Sequence, residues 1–98
     1  MSFDEHLIKD ARLVILRELA KQTDGRLNET LLAHALDTFG HRRSRDWLRT
    51  QLRQMAELGA IRIDEAGPIL VATLTVGGQN HLERRMIIEG IAQPSLGA

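Results

Sequence analysis

Arginine is concentrated in one short stretch of this 98-residue chain. Residues 41–54 hold five arginines and one aspartate, whereas residues 1–40 carry seven acidic and five basic side chains and residues 55–98 carry five and three. Over the whole chain 13 basic and 13 acidic side chains balance. The planar guanidinium of arginine matches phosphate oxygens and base edges. The local excess indicates an anionic partner, while the zero net charge excludes a uniformly basic nucleic-acid binder.

The same stretch predicts a helix with one apolar and one charged face. Ser44 is suited to cap its first turn, and Gly59 closes it after about 14 residues. Arg45, Arg49 and Arg53 follow at intervals of four residues. Like charges at that spacing destabilise a helix by roughly 0.2–0.5 kcal/mol per pair, and an anionic partner would offset the repulsion.

A plain solvated surface is the alternative for this helix. Arg42 lies four residues before Asp46 and Arg53 four before Glu57, so two ion pairs can relieve the repulsion without a partner. Trp47 is the only tryptophan. We expect it at the edge of the core between this helix and the preceding one, because exposing an indole is unfavourable; stacking on a sugar or a partner is the other possibility.

The residue pattern contains no motif typical of an enzyme active site or of a metal site. The absence of cysteine excludes disulfides, thiolate ligands and cysteine nucleophiles. The four histidines lack metal-ligand spacing, and the adjacent carboxylates Asp4-Glu5 and Asp64-Glu65 form no acid–base pair. We expect a non-enzymatic protein with no catalytic residues, no metal and no cofactor. No apolar run is long enough to span a membrane, and a cytoplasmic location is expected.

Hydrophobic spacing and capping residues predict how the N-terminal half is organised. A first helix covers residues 3 to about 22, and a short strand follows at residues 26–27. A second helix is capped by Asn28 and ended by Gly40, three or four residues before the arginine-rich helix. The expected buried stripe of the first helix consists of Phe3, Leu7, Ala11, Leu13, Leu16, Leu19 and Ala20, widened by Val14 and Ile15.

The apolar period changes to two after the arginine-rich helix. Strands are predicted at residues 61–64 and 69–74, joined by a tight turn. Thr75 caps a last helix that carries Leu82 and Met86 one turn apart. The fold class is therefore α+β and mostly helical, with residues 1–89 as a single domain and residues 90–98 as a C-terminal tail.

One local run carries a resemblance to a known fold. Leu74-Thr75-Val76-Gly77-Gly78-Gln79-Asn80-His81-Leu82 resembles the Leu-Thr-x-x-Gly-x-x-x-Leu string that follows the wing in many bacterial winged-helix regulators. The threonine would start a helix, the glycine would permit close packing on the hairpin, and the leucine would enter the core. With the order helix, short strand, helix, helix, two-stranded wing, C-terminal helix, the run implies a winged helix-turn-helix domain.

The chain as a whole resembles a narrower group, the small winged-helix proteins encoded in Mu-like phages and prophages. This resemblance implies a phage or prophage origin and little about biochemistry. The segments that carry it are Phe3-Asp4-Glu5-His6-Leu7, Arg12-Leu13-Val14-Ile15-Leu16, Leu27-Asn28-Glu29, Leu36 to Arg45, and Leu70-Val71-Ala72-Thr73-Leu74-Thr75.

In a helix-turn-helix domain the outward face of the third helix enters the major groove. Arg49 and Arg53 can then each contact a guanine, and Gln54 can pair with an adenine. Residues at the helix entry contact phosphates. The candidate DNA-binding residues are Arg42, Arg43, Ser44, Arg45, Arg49, Thr50, Arg53 and Gln54. We expect double-stranded DNA as the partner, with a role in transcription regulation or another DNA transaction.

The charge of the predicted wing is unfavourable for DNA binding. Its tip carries Asp64 and Glu65, which repel phosphate, and Arg62 is its one basic residue. We therefore expect no insertion of the wing into DNA. The acidic wing and the neutral net charge favour an alternative function, a winged-helix module for protein–protein interaction that binds no DNA.

Apolar residues near the C-terminus suggest self-association. Met86, Ile87, Ile88 and Ile91 are dense in apolar area for a terminal segment, and Val14 and Ile15 add to it. We expect a homodimer through the N-terminal and C-terminal helices, which would set two third helices about one DNA turn apart. Alternatively, Met86 and Ile87 complete the core over the first helix.

Overall fold

Four helices and a three-stranded antiparallel sheet make up the fold in a computed structural model that describes residues 2–95. β3 lies in the middle of the sheet, between β1 and β2. The predicted α+β class and the predicted order of elements are confirmed. The elements are α1 (Phe3–Ala20), β1 (Arg26–Asn28), α2 (Glu29–Thr38), α3 (Arg45–Glu57), β2 (Ile61–Ala66), β3 (Ile69–Leu74) and α4 (Val76–Leu82).

The capping residues chosen from the sequence begin and end the helices as expected. The side chains of Asn28, Ser44 and Thr75 each accept a hydrogen bond from a first-turn amide, at 2.9, 3.1 and 3.0 Å. Gly40 and Gly59, with φ of +89° and +83°, follow α2 and α3 in the left-handed conformation that ends a helix. These local interactions set the lengths of α2 and α3.

The core surrounds the middle of α1. Every residue from Ala11 to Leu16 is buried, so this helix is covered on more than one side, as its broad apolar surface predicts. The predicted stripe was wrong at its two ends, because Phe3 is 75% exposed and Ala20 is exposed as well. Both lie in terminal turns of α1, outside the stretch that the other elements cover.

The last helix is shorter than the sequence predicts. It ends at Leu82, so Met86 does not lie one turn further along it. Arg84 adopts φ +61°, and the amide of Arg85 donates to the carbonyl oxygen of Asn80 at 2.8 Å. This is the left-handed helix termination that glycine usually supplies. Because this position holds Arg84 and not a glycine, the sequence does not indicate where the helix ends.

The chain beyond α4 turns back against α1. The imidazole of His81 is 1% exposed; its Nδ1 accepts a hydrogen bond from the Ile88 amide at 3.1 Å, and its Nε2 lies 2.9 Å from the carbonyl oxygen of Ala92. The Ala92 amide donates to the carbonyl oxygen of Lys9. Ile91 is buried too. The first part of the predicted tail, up to residue 95, thus includes residues that pack on the domain.

Gly78 provides a stability test of the contact between α4 and the start of β2. A Cβ added there would lie 2.3 Å from the carbonyl oxygen of Ala60, which is backbone and cannot move aside cheaply. We expect Gly78→Ala to lower the free energy of unfolding by about 1–3 kcal/mol, measured by urea denaturation. Val76→Ala, in the same helix at a 78% exposed position, is the control and should stay within about 0.5 kcal/mol of the wild type. Equal stabilities of the two variants would contradict the close contact.

Candidate nucleic-acid interface

α3 has the two faces that its sequence predicts. Leu48, Leu52 and Met55 are buried, and Gln51 lies beside them with 4% exposure. Trp47 is partly buried and packs on the core, which confirms its expected position. The exposed residues of this helix and the loop before it are Arg42, Arg43, Ser44, Arg45, Asp46, Thr50, Arg53, Gln54 and Glu57.

A buried carboxylate lies behind this charged surface. Glu29, the first residue of α2, is 0% exposed. Its oxygens accept two hydrogen bonds from Arg49, both at 2.8 Å, one from Arg45 at 3.3 Å and one from the Leu70 amide at 2.6 Å. The Arg49 hydrogen bonds outweigh desolvation and lower the pKa of Glu29 from 4.5 to about 2. Glu29 therefore joins α2, α3 and β3 through a charged, fully hydrogen-bonded group.

Arg49 is committed to this interior contact. Its Nε and Nη2 engage Glu29, and Nη2 also donates to the carbonyl oxygen of Pro68 in the β2–β3 turn at 2.7 Å. A guanidinium held in this way cannot fork onto a guanine unless the ion pair opens. Arg49 keeps 35% of its side chain exposed, but a carboxylate 20 positions away in the chain takes up its Nε and Nη2 donors, which the sequence did not indicate; its contact with DNA stays a prediction. The residue pattern assigned Glu29 no role in this contact.

Gln54 is engaged in a similar way by an arginine from α1. Arg12 is 9% exposed, and its guanidinium donates to the side-chain oxygens of Gln51, at 2.9 Å, and Gln54. A third bond, of 3.1 Å, goes to the carbonyl oxygen of Gly90. Burial lowers the pKa of Arg12, and within residues 2–95 no carboxylate pairs with it. The residue pattern did not single out Arg12 for any such role.

The remaining arginines of the candidate set stay available at the surface. Arg43 lies over the Trp47 ring at 4.9 Å from the ring centroid, while Arg45 keeps 43% of its side chain exposed despite its bond to Glu29. Neither Arg42 nor Arg53 forms an ion pair in the described part of the chain. The alternative pairs with Asp46 and Glu57 are therefore not formed there.

An open groove of about 660 Å³ runs between α3 and β2. Arg53 and Glu57 line it from α3, and Arg62 lines it from β2. Arg62 also forms an exposed ion pair of 3.5 Å with Asp64. Asp64 and Glu65 are exposed, but their predicted position at the tip of the hairpin was wrong, because β2 continues to Ala66 and pairs both residues with β3.

The polar groups at the start of α3 are partly used within the protein. Ser44 caps the helix through its hydroxyl oxygen, and the Thr50 hydroxyl donates to the carbonyl oxygen of Asp46 at 3.0 Å. His41 is 6% exposed, with Nε2 located 2.7 Å from a carboxylate oxygen of Asp10. This last contact fixes the loop before α3 to α1.

Most of the apolar residues proposed for a dimer interface belong to the core of one chain. Val14, Ile15, Ile88 and Ile91 are at most 7% exposed. Met86 is 45% exposed and Ile87 is 60% exposed. These two do not complete the core over α1, and the homodimer stays a prediction.

Residues 2–95 contain neither a three-residue metal-ligand cluster nor a helix that could span a membrane. No three His, Asp or Glu side chains in this part of the chain come close enough to hold a metal ion. None of its helices has both the length and the apolar content needed to cross a membrane.

Comparison with known proteins places the chain among phage-related sequences. It is 38% identical over 88 residues to the uncharacterized protein gp26 of Escherichia phage Mu, a match that covers 90% of this chain and 91% of gp26. The chain belongs to the gp26 family. An uncharacterized protein of Haemophilus influenzae is also 38% identical, over 76 residues that cover 76% of this chain and 74% of that protein.

The gp26 relationship confirms the predicted resemblance to a protein of phage Mu. No protein-family model matches the chain, and no solved structure matches it. The names of both relatives state no activity, so the function of this gp26-family chain rests on its own residues.

Glu29 provides a stability test of the buried ion pair. Glu29→Gln should lower the free energy of unfolding by about 1–3 kcal/mol near neutral pH, because a neutral amide replaces the charge-assisted hydrogen bonds that the buried carboxylate accepts from Arg49. Glu57→Gln, which removes an exposed carboxylate from α3, is the matched control and should change stability by less than about 0.5 kcal/mol. Equal denaturation midpoints for the two variants would contradict the structural role of Glu29.

The same pair predicts a pH dependence. The pKa of Glu29 is lower in the folded chain than its ordinary value of 4.5, so its stabilising contribution is present above pH 4.5 and lost as the pH falls towards about 2. The difference in unfolding free energy between wild type and Glu29→Gln should therefore shrink across this interval. Urea denaturation at a series of pH values measures it; a constant difference would contradict the charged state of Glu29.

Proposed function

We propose that this gp26-family chain is a non-enzymatic winged-helix protein of a phage or prophage that binds double-stranded DNA. The order of elements supports the winged-helix assignment: two helices in close succession precede a hairpin whose second strand pairs with a short strand from before them. The Mu relative supports the phage origin. Transcription regulation, or another DNA transaction, is the expected role.

One observation carries the proposal. Arg42, Arg43, Arg45 and Arg53, here named the α3 arginine surface, are all exposed on α3 or in the loop before it. The charge is concentrated there even though the chain as a whole is neutral. Such a patch suits the phosphates of a duplex, whose neutralisation releases condensed counterions and supplies most of the affinity in non-specific binding.

A direct binding measurement tests this function. Fluorescence anisotropy with a labelled random duplex of about 30 base pairs should show binding that weakens steeply as salt is raised. Arg42→Ala/Arg43→Ala should weaken binding and reduce the slope of log K against log salt by about 2. Arg26→Ala/Arg85→Ala removes the same charge from exposed positions outside the α3 arginine surface and is the control. Absence of binding at low salt would overturn the proposal.

A protein–protein module is the second candidate. Leu31 and Phe39, eight residues apart across α2, are 50% and 55% exposed, and β2 exposes the carboxylates of Asp64 and Glu65. Large apolar side chains exposed in this way are common at protein interfaces. This candidate predicts that Leu31→Ser/Phe39→Ser abolishes capture of a protein partner from host extract treated with nuclease, while Phe3→Ser, at another exposed position, leaves capture intact. Recovery of material only when DNA is present would exclude it.

A further inference from the structure

We infer that the α3 arginine surface recognises the phosphate backbone of a duplex and binds it independently of base sequence. This inference rests on the proposed function and specifies that the phosphates of the duplex, and not its bases, are the groups that the surface recognises. Base readout in the major groove needs side chains that can present paired donors and acceptors to a base edge. Of the candidate base-contacting residues, Arg49 is engaged by Glu29 and Pro68 and Gln54 by Arg12, whereas Arg53 is exposed and lines a groove together with Arg62.

Arg49 is the first of these residues. A guanine contact needs two parallel donors on different nitrogens of the guanidinium, and Glu29 and the carbonyl oxygen of Pro68 take up Nε and both hydrogens of Nη2, which leaves only Nη1. Glu29 is fully buried, so withdrawing Arg49 towards DNA would leave a carboxylate in the interior with only Arg45 as its ionic partner. The interior ion pair and the base contact therefore exclude each other.

Gln54 and Thr50 are restricted in the same manner. Pairing with adenine requires the amide oxygen of glutamine as well as its amide nitrogen, but that oxygen of Gln54 accepts a hydrogen bond from Arg12. The Thr50 hydroxyl has donated its hydrogen to the Asp46 carbonyl and can only accept. Thr50 therefore has no hydrogen left to donate to a base, and Arg12 restricts the orientation of the Gln54 amide.

Carboxylates further limit a close approach to the bases. Asp46 and Glu57 are exposed on the outward face of α3, and Asp64 and Glu65 are exposed on the hairpin. Negative charge placed deep in a groove faces the phosphates on both sides and is repelled. A shallower approach, with the arginines on the backbone, avoids this repulsion.

The arginines that remain are arranged for phosphates. Arg42, Arg43 and Arg45 cluster at the N-terminal end of α3, where contacts to phosphate normally fix the register on DNA. Arg53 and Arg62 line one groove from two different elements. Glu57 lines the same groove, and a phosphate bound there would contact both guanidinium groups and replace Asp64 as the partner of Arg62, whereas one guanine edge accommodates a single fork.

Comparison of several duplexes tests the inference on the wild-type chain. Three labelled duplexes of about 30 base pairs, with unrelated sequences and equal base composition, should bind with affinities within about three-fold of one another, and selection from a randomised duplex library should enrich no motif. One bidentate base contact alone discriminates by about five-fold to more than a hundred-fold. An enriched motif would overturn the inference but not DNA binding, whereas no binding to any duplex would overturn both.

Two double variants distinguish phosphate contacts from base contacts. The comparison asks whether each variant changes the affinity for all three duplexes equally or for one duplex selectively. Glu29→Gln/Arg49→Gln removes both charges of the ion pair but keeps hydrogen-bonding groups, and it should change the affinity for all three duplexes by the same factor. Arg42→Gln/Arg43→Gln should weaken binding to all three duplexes by the same factor, at least about ten-fold at 100 mM salt. Circular dichroism checks that each variant is folded. If the Glu29/Arg49 variant folds and loses affinity for one duplex selectively, the inference fails; if it does not fold, the wild-type comparison still decides.

Discussion

The buried carboxylate of Glu29 is the group on which the arrangement of this chain depends. An ionised carboxylate without contact to water is stable only when charged or polar donors surround it. Arg49, Arg45 and the Leu70 amide supply those donors, and each comes from a different place in the sequence. Because α2, α3 and β3 must all converge to satisfy Glu29, its charge specifies how the two helices sit on the sheet.

The same interaction divides the arginines between structure and surface. Arg49 neutralises Glu29 and braces the β2–β3 turn through Pro68, while Arg42 and Arg53 remain exposed. Arg12 makes a comparable contribution from α1, where neutral amide oxygens of α3 take the place of a carboxylate. The number of arginines in and before α3 is therefore larger than the number that is available to bind a ligand. The charge that is left suits a repetitive anionic polymer better than the edge of one base.

A backbone turn after α4 and the hydrogen bonds of one histidine determine the path of the chain at the end of the domain. Arg84 adopts a left-handed conformation, and His81 bonds to both Ile88 and Ala92, so the chain leaves α4 early and returns to α1. The buried Ile88 and Ile91 contribute to the core as a consequence of this turn. A continuous helix would have carried these apolar residues away from α1 and left them exposed.

Local interactions made much of this fold predictable from the sequence alone. The caps Asn28, Ser44 and Thr75 and the glycines that end α2 and α3 act within a few residues, and the change of apolar period marks the hairpin. The exposure of Arg53 follows from the helical spacing of the buried Leu48, Leu52 and Met55. The partners of Arg49 and Gln54 could not be read in this way, because Glu29 and Arg12 lie 20 and 42 positions away and meet α3 only when the elements pack. The sequence determined which residues α3 carries. Tertiary packing decided which of them remain available to a ligand, because a buried charge is stable only beside a partner group that the fold brings close.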